Sequence, residues 1–268
     1  MPHSYVLGED RSTLHRYELF NAINQPFTEQ GFARIDTRPD MQILEIGCGI
    51  GDTACWMARH IVPDGHVTAF DQSAELVALG CERAAEQGIG NIRFVQSSAE
   101  DFDYGESRFD IAHSRYVLTY LRDAGDVVRQ VARSLRPGGC FFGEECVEAH
   151  VSHNEPGWLT DIMQWFPALV RSAGGDPNYG LSGLPSHMIE AGLEGLSVAA
   201  AAPLEPQEAI VEMLHLSLGN EMKQNLINAG IATDEAVDAA IKASSRADPG
   251  AVIGLLMVSQ CLAYKSMG

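Results

Sequence analysis

Between Met41 and Glu145, short apolar runs alternate strictly with stretches of helical periodicity. Gln42 to Ile46, His66 to Asp71, Ile92 to Gln96, Phe109 to His113 and Cys140 to Glu145 read as strands, and the segments starting near Thr53, Ser73 and Tyr116 read as helices between them. Strict alternation requires right-handed crossovers, which place helices on both faces of a parallel sheet. The predicted core is therefore a doubly wound α/β sheet.

The flanks differ from this core. Leu14, Tyr17, Phe20 and Ile23 recur at helical spacing before Pro26, predicting an amphipathic helix that ends there. Together with Tyr5 and Leu7 it is expected to cover a ligand from the N-terminal side. After the fifth strand the rhythm breaks into an aromatic-rich helical stretch holding Trp158, Ile162, Met163, Trp165 and Phe166, which is well placed to be a lid. Two further strands, Leu196 to Ala202 and Val252 to Tyr264, flank helices over 207–229 and 233–245, and the last strand pair is expected to be antiparallel. At 268 residues we expect one domain. Its parts are an N-terminal cover (1–39), a ligand-binding core (40–146), a helical lid (147–193) and C-terminal strands with a helical insertion (194–268).

The segment Leu44-Glu45-Ile46-Gly47-Cys48-Gly49-Ile50-Gly51-Asp52-Thr53 sets a glycine-rich turn between a buried strand and a helix. Glycines there allow tight backbone geometry and close approach of a ligand, with helix N–H groups pointing at it. The spacing G-x-G-x-G differs from the dinucleotide fingerprint G-x-G-x-x-G, whose helix N-terminus holds a pyrophosphate. Glu45 and Asp52 beside the loop would repel a pyrophosphate and tolerate an ammonium or sulfonium cation. Asp71 ends the next strand, where a carboxylate can accept from both ribose hydroxyls. These features point to S-adenosylmethionine and away from NAD(P), although Asp71 alone does not separate the two.

The ordered motifs LEIGCGIGDTA, VTAFDQS, FVQSSAEDF, FDIAHSRYVLTYL and LRPGG, covering Met41 to Glu145, resemble those of the class I S-adenosylmethionine-dependent methyltransferases. The resemblance implies a seven-stranded Rossmann-like sheet whose last strand is antiparallel. It puts Gly47, Cys48, Gly49 and Gly51 against the methionine and ribose portion, Glu45 near the amino group, Asp71 on the ribose and Gln72 beside the adenine. Ser98, Ala99 and Glu100 stand where the family usually has an Asp-Ala pair at the adenine edge, with Ser98 departing from that Asp. Arg136-Pro137-Gly138-Gly139 is read as a structural turn before the fifth strand. Of the residues after the fourth strand, His113 and Arg115 are candidates to touch the cofactor, Arg115 through its carboxylate.

An in-line displacement needs an acceptor atom about 3 Å from the methyl carbon. A general base helps only where the acceptor must lose a proton first. His113, Glu145 and His150 are the candidates for that base. Glu144, Glu145, Glu148, His150 and His153 cluster after the fifth strand, but spacing alone does not define convergent ligands, so no metal is expected. Trp158, Trp165 and Phe166 are candidates to line an apolar acceptor pocket. With 36 acidic against 18 basic residues, the field repels phosphate backbones and anionic lipid, so nucleic acid and membrane surfaces are not expected partners. The six cysteines form no C-x-x-C pair, and no signal peptide or spanning segment is read, which predicts reduced thiols and a cytoplasmic location. The predicted activity is methyl transfer to a small-molecule acceptor, by a chain that could form a homodimer. Two alternatives stay open: a protein that uses bound S-adenosylmethionine without consuming it, for instance to steer a cyclisation, and an NAD(P)-dependent oxidoreductase.

Overall fold

A computed structural model describes residues 13–150, 157–219, 221–245, 252–254 and 256–268. Tyr5, Leu7 and His153 lie outside the described residues. Five parallel strands come first: β1 (Gln42–Ile46), β2 (His66–Asp71), β3 (Ile92–Gln96), β4 (Phe109–Arg115) and β5 (Leu135–His150). After them come β6 (Leu193–Ala201) and β9 (Leu256–Lys265), and the seven pair in the order β3-β2-β1-β4-β5-β9-β6. β9 runs antiparallel to both neighbours, as the expected seven-stranded sheet requires. Two short strands, β7 (Leu204–Pro206) and β8 (Val252–Gly254), form a separate antiparallel pair. Gly254 therefore ends a short strand before the long one begins.

β1 to β4 are buried on both faces because helices cover both sides, which is why they read as continuous apolar runs. Crossovers α2 (Asp52–His60), α3 (Ala74–Glu86) and α4 (Ala124–Ser134) connect them. Ser73 caps α3 by accepting from the Leu76 N–H. The expected helix at Tyr116 is instead an irregular segment with one 3₁₀ turn, Leu118–Tyr120, and α4 starts only at Ala124. Tyr116 adopts φ +57°, a left-handed conformation that cannot open a helix. The Arg136–Gly139 turn is a bulge: Leu135 pairs with Phe109 and Cys140 with Ile111, leaving four residues on β5 opposite one on β4.

The N-terminal helix α1 (Leu14–Phe32) does not end before Pro26 but runs through it. Its second half is fastened to the sheet, with Phe32 edge-on to Phe142 and Gly31 directly over the same ring. Such tertiary contact outweighs the hydrogen bond that proline removes. The cap is drawn from distant pieces: α5 (Gly157–Ser172), α8 (Gln207–Leu218), α9 (Glu221–Asn228) and α10 (Asp234–Ser244) share one apolar cluster with Ile23 of α1. By contrast α6 (Tyr179–Ser182) and α7 (Leu184–Glu190) join the sheet's own core through Tyr179, Leu184 and Met188. Residues 147–193 thus supply one cap helix and two core helices. Among the described residues no helix is long and apolar enough to cross a membrane.

Candidate cofactor and acceptor site

A cavity of about 800 Å³ opens at the carboxyl ends of β1, β2 and β4, beneath α1 and the cap. Its size is that of a pocket for a cofactor plus a small ligand. One end is polar and belongs to the glycine loop. Gly47, Gly49 and Gly51 have φ of +65°, +52° and +78°. A Cβ on Gly47 would meet Val117 Cγ2 at 2.3 Å, so glycine is needed there both for conformation and for space.

Glu45 lines this end and is almost fully buried. Its Oε2 has no hydrogen-bond partner among the described residues. Burial pushes its carboxyl up to about 8, against the pull of Arg115, while Asp52 and Asp71 push it further. A buried acid with one oxygen idle beside a cavity is a site for a cationic donor. The ammonium of S-adenosylmethionine meets that requirement, and the group fits. Asp71 also lines the cavity, but its carboxylate holds the loop in shape: Oδ2 accepts from the Gly49 N–H at 2.9 Å and Oδ1 from the Ser73 N–H at 3.0 Å. Each carboxylate oxygen retains a second lone pair for a ribose hydroxyl. Asp52, read as a loop-side carboxylate, is paired with Arg83, which also holds Glu18 of α1. Its charge is thereby compensated, and Glu45 carries the local negative character.

Cys48, Gln72, Ser98, Ala99, Glu100 and Arg115 all line the cavity as well. Burial raises the Cys48 thiol well above its ordinary range, which leaves it a small apolar group rather than a nucleophile. Ser98 donates to Asp101, so this serine replaces the family's Asp with a hydroxyl tied to a neighbouring one. Arg115 gives N–H bonds to Asn21 (2.7 Å), Thr28 (3.0 Å) and Gln25 (3.4 Å), all on α1. It therefore clamps the covering helix onto the cavity. None of these three partners was singled out by sequence, because polar residues on a helix face look like a solvated surface.

Three expectations are corrected. Gly51 is not among the residues lining the cavity; a Cβ there would meet the Phe94 ring at 2.9 Å and Gly80 Cα at 3.0 Å, so its role is packing of α2 on α3 and β3. His113 does not line it either. It is fully buried under Phe32 and Phe142, with Nε2 on Glu144 Oε2 at 3.1 Å. Glu145 faces the opposite side of the sheet and accepts from the backbone N–H groups of Val117 (3.2 Å), Leu118 (2.9 Å) and Thr119 (3.1 Å). It is a cap for the irregular segment, not a base in reach of a substrate. Burial raises its carboxyl to about 7 in spite of those bonds. Glu145→Gln substitutes an amide whose nitrogen cannot accept one of them, and should cost about 1–3 kcal/mol. Thermal unfolding should show that loss with affinity for S-adenosylmethionine unchanged.

His150 pairs with Leu256 in the β5–β9 ladder, and its side chain lies outside the described residues. Among the described residues no group of three or more His, Cys, Asp or Glu could hold a metal ion. Adjacent strand residues Glu144 and Glu145 point to opposite faces, which separates two of the proposed ligands.

The far end of the cavity is apolar. Phe20 of α1, Ile162, Met163 and Phe166 of α5, and Met213 and Met222 of α8 and α9 form its walls. Phe166 thus faces the cavity as expected. Trp165 packs in the cap cluster instead, and the Trp158 side chain lies outside the described residues. The wall from α8 and α9 was not foreseen; its Met and Leu residues have the spacing of any buried helix face.

Residues 43–139 match the family model described as a methyltransferase domain. A demethylmenaquinone methyltransferase of Listeria monocytogenes is 30% identical over 124 residues, which are 46% of this chain and 51% of that protein. The chain thus spans about half the length of the curated relatives it matches. Among solved structures, phosphoethanolamine N-methyltransferase 2 of Haemonchus contortus in complex with S-adenosyl-L-methionine aligns with TM-score 0.63 at 16% identity, over 96% of this chain and 59% of that one. The [4+2]-cyclase SpnF aligns with TM-score 0.59 at 20% identity, over 91% and 81%. At these identities the structural matches show a shared fold.

Proposed function

We propose that this chain, whose residues 43–139 are a methyltransferase domain of the class I S-adenosylmethionine-dependent family, methylates a small apolar acceptor held between α1 and the cap. One observation carries the reading: a single cavity joins the glycine loop, Glu45 and Asp71 to a chamber walled by methionine and aromatic side chains. Glu45 would take the cofactor's ammonium, Arg115 its carboxylate, Asp71 the ribose, and Gln72 with Ser98 to Glu100 the adenine. Bound there, S-adenosylmethionine supplies a methyl group made electrophilic by the attached sulfonium. The chain's own contribution is placement and exclusion of water. Arg115 fastens α1 over the cavity, and the cap presents an apolar wall that desolvates the nucleophile.

The acceptor class follows from the same wall. Met163, Met213 and Met222 are flexible and polarizable, which suits an apolar ligand of irregular outline. Neither His113 nor Glu145 is available as a base, so the reading favours an acceptor whose nucleophilic atom is reactive without one, such as an electron-rich ring carbon, a phenolate or an amine. A quinol precursor, the substrate named for the Listeria relative, is of this type.

Incubation with methyl-labelled S-adenosylmethionine and a panel of hydroxylated aromatics with apolar tails, with small polar amines as controls, tests the proposal. Label should appear in the apolar set. Asp71→Ala should lower cofactor affinity by about tenfold or more, since it removes a ribose acceptor and the prop of the Gly49 N–H together. Label confined to polar amines would sink the acceptor class. The lack of a base lining the cavity also favours a second reading, in which the bound cofactor steers a rearrangement by its charge. Product formation with no cofactor consumed would establish it.

A further inference from the structure

A polar row crosses four strands on the face covered by α1. Glu45 of β1 sits in register with His113 of β4, and Glu144 of β5 sits in register with Gln260 of β9. His113 Nε2 lies 3.1 Å from Glu144 Oε2, which also accepts from Thr28 Oγ1 at 2.7 Å, while Glu144 Oε1 accepts from Gln260 Nε2 at 2.9 Å. With three donors converging on it, Glu144 is ionised: burial pushes its carboxyl up, but His113, Arg115 and Thr28 together hold it below its ordinary value. An ionised Glu144 requires a proton on Nε2, so Nδ1 of a neutral His113 is a bare acceptor. That Nδ1 has no hydrogen-bond partner among the described residues, and it faces Glu45 Oε1 at 3.9 Å. Two buried, unsatisfied groups on neighbouring strands therefore point at one another, one of them at the wall of the cavity.

We propose that His113 is a positioning residue that takes the proton of Glu45 when a cationic ligand enters the cavity. The proposal rests on the functional reading above. In the unliganded protein Glu45 is a neutral acid whose O–H is directed to Nδ1, a closure of about 1 Å to a normal hydrogen bond. When an ammonium arrives at Oε2, the O–H bond of Glu45 breaks and an N–H bond forms on Nδ1. The result is an imidazolium between two carboxylates, Glu45 and Glu144. No proton leaves the protein, and the new cation faces a new anion in each direction.

The surroundings suit this exchange. Around Glu45 stand Asp71 of β2, Cys48 of the loop, Asp52 and Cys55 of α2, and Arg115 of β4. Around His113 stand Glu144, Arg115 and the uncharged rings of Phe32 and Phe142. Burial keeps the His113 imidazole below its ordinary value in the unliganded protein, and an ionised Glu45 adjacent to it reverses that preference. Without the histidine, the Glu45 proton would have to go to solvent.

Calorimetry with S-adenosylhomocysteine at pH 7, in two buffers of different ionisation enthalpy, measures the protons released. Wild type should release close to none, and the ¹⁵N shifts of the His113 ring should change from neutral to imidazolium on binding. His113→Gln should release about one proton, with affinity falling about tenfold per pH unit below pH 8. In Glu45→Gln the His113 ring should stay neutral on loading, which tests the exchange even if the His113 variant does not fold. Release of about one proton by wild type, or a ring that stays neutral in it, overturns the relay while leaving the cofactor site intact. Absence of any binding by wild type overturns the functional reading and the relay together.

Discussion

Gly47→Ala should reduce affinity for S-adenosylmethionine at least a hundredfold, about 2.7 kcal/mol, while leaving the protein folded. Two costs combine. The backbone at this position has φ +65°, which an L-residue adopts at about 1–2 kcal/mol. The added methyl would also lie 2.3 Å from Val117 Cγ2, and a β-branched side chain has no alternative rotamer at hand. Val117 must retreat, and Val117 itself lines the cavity, so relief of the clash distorts the polar end where the cofactor would lie. Gly49→Ala is the matched control. Its Cβ would meet only the Tyr17 ring at 3.5 Å, an ordinary contact, leaving the strain of φ +52°. About tenfold weaker binding is expected there. Calorimetry on both variants, with circular dichroism for the fold, distinguishes them; equal losses would show that space at Gly47 is irrelevant.

The same loop shows why sequence told much about the core and less about the site. β1, β2 and β3 begin and end at the predicted residues, because each is a buried apolar run between polar or glycine punctuation, and burial on both faces leaves no ambiguity of register. Glu45, Asp71, Arg115 and the Ser98 to Glu100 segment reach the cavity because they occupy the carboxyl ends of parallel strands, which topology alone brings to one edge. His113 and Glu145 failed as bases for a reason that sequence does not carry. Both are polar residues at strand ends, but whether such a residue meets the cavity or another buried group depends on the tertiary partner. Glu144 and Glu145 are neighbours in sequence, yet one binds His113 and the other caps residues 117–119. The acceptor chamber was half visible: Phe166 has a partner wall in Met213 and Met222, about fifty residues later in the chain, and nothing local to either helix announces the pairing. Pro26 misled the reading of α1 because proline's cost is local, whereas Phe32, Gly31 and the Arg115 clamp act on the helix from the sheet.

Glu45→Gln should move stability and affinity in opposite directions. In the unliganded protein the carboxyl is pushed up to about 8 by burial, well above its unfolded value of 4.5. Between those two values the folded state holds a proton that the unfolded state has lost, so folding stability falls as pH rises through this window and the cost is complete above about pH 8. Each tenfold change in proton affinity is worth ~1.4 kcal/mol, so the ionised carboxylate costs the empty site on the order of a few kcal/mol. An amide of the same shape does not ionise, and its N–H can meet the bare His113 Nδ1. The variant should therefore melt on the order of 5 °C higher than wild type at pH 8.5, with the gap closing toward pH 5. Its affinity for S-adenosylmethionine should drop about thirtyfold, because a charge-assisted bond to the ammonium is worth about 1.5–3 kcal/mol. Melting curves across pH, with and without cofactor, read both effects in one experiment: the unliganded curves should favour the variant and the liganded ones wild type. A variant less stable than wild type at pH 8.5 would mean that Glu45 is satisfied in the empty protein, and that its idle oxygen is not reserved for a cation. The expected crossing of the curves ties the electrostatic cost at the end of β1 to binding, since the carboxylate that weakens the empty fold is the one that would receive the ligand's charge.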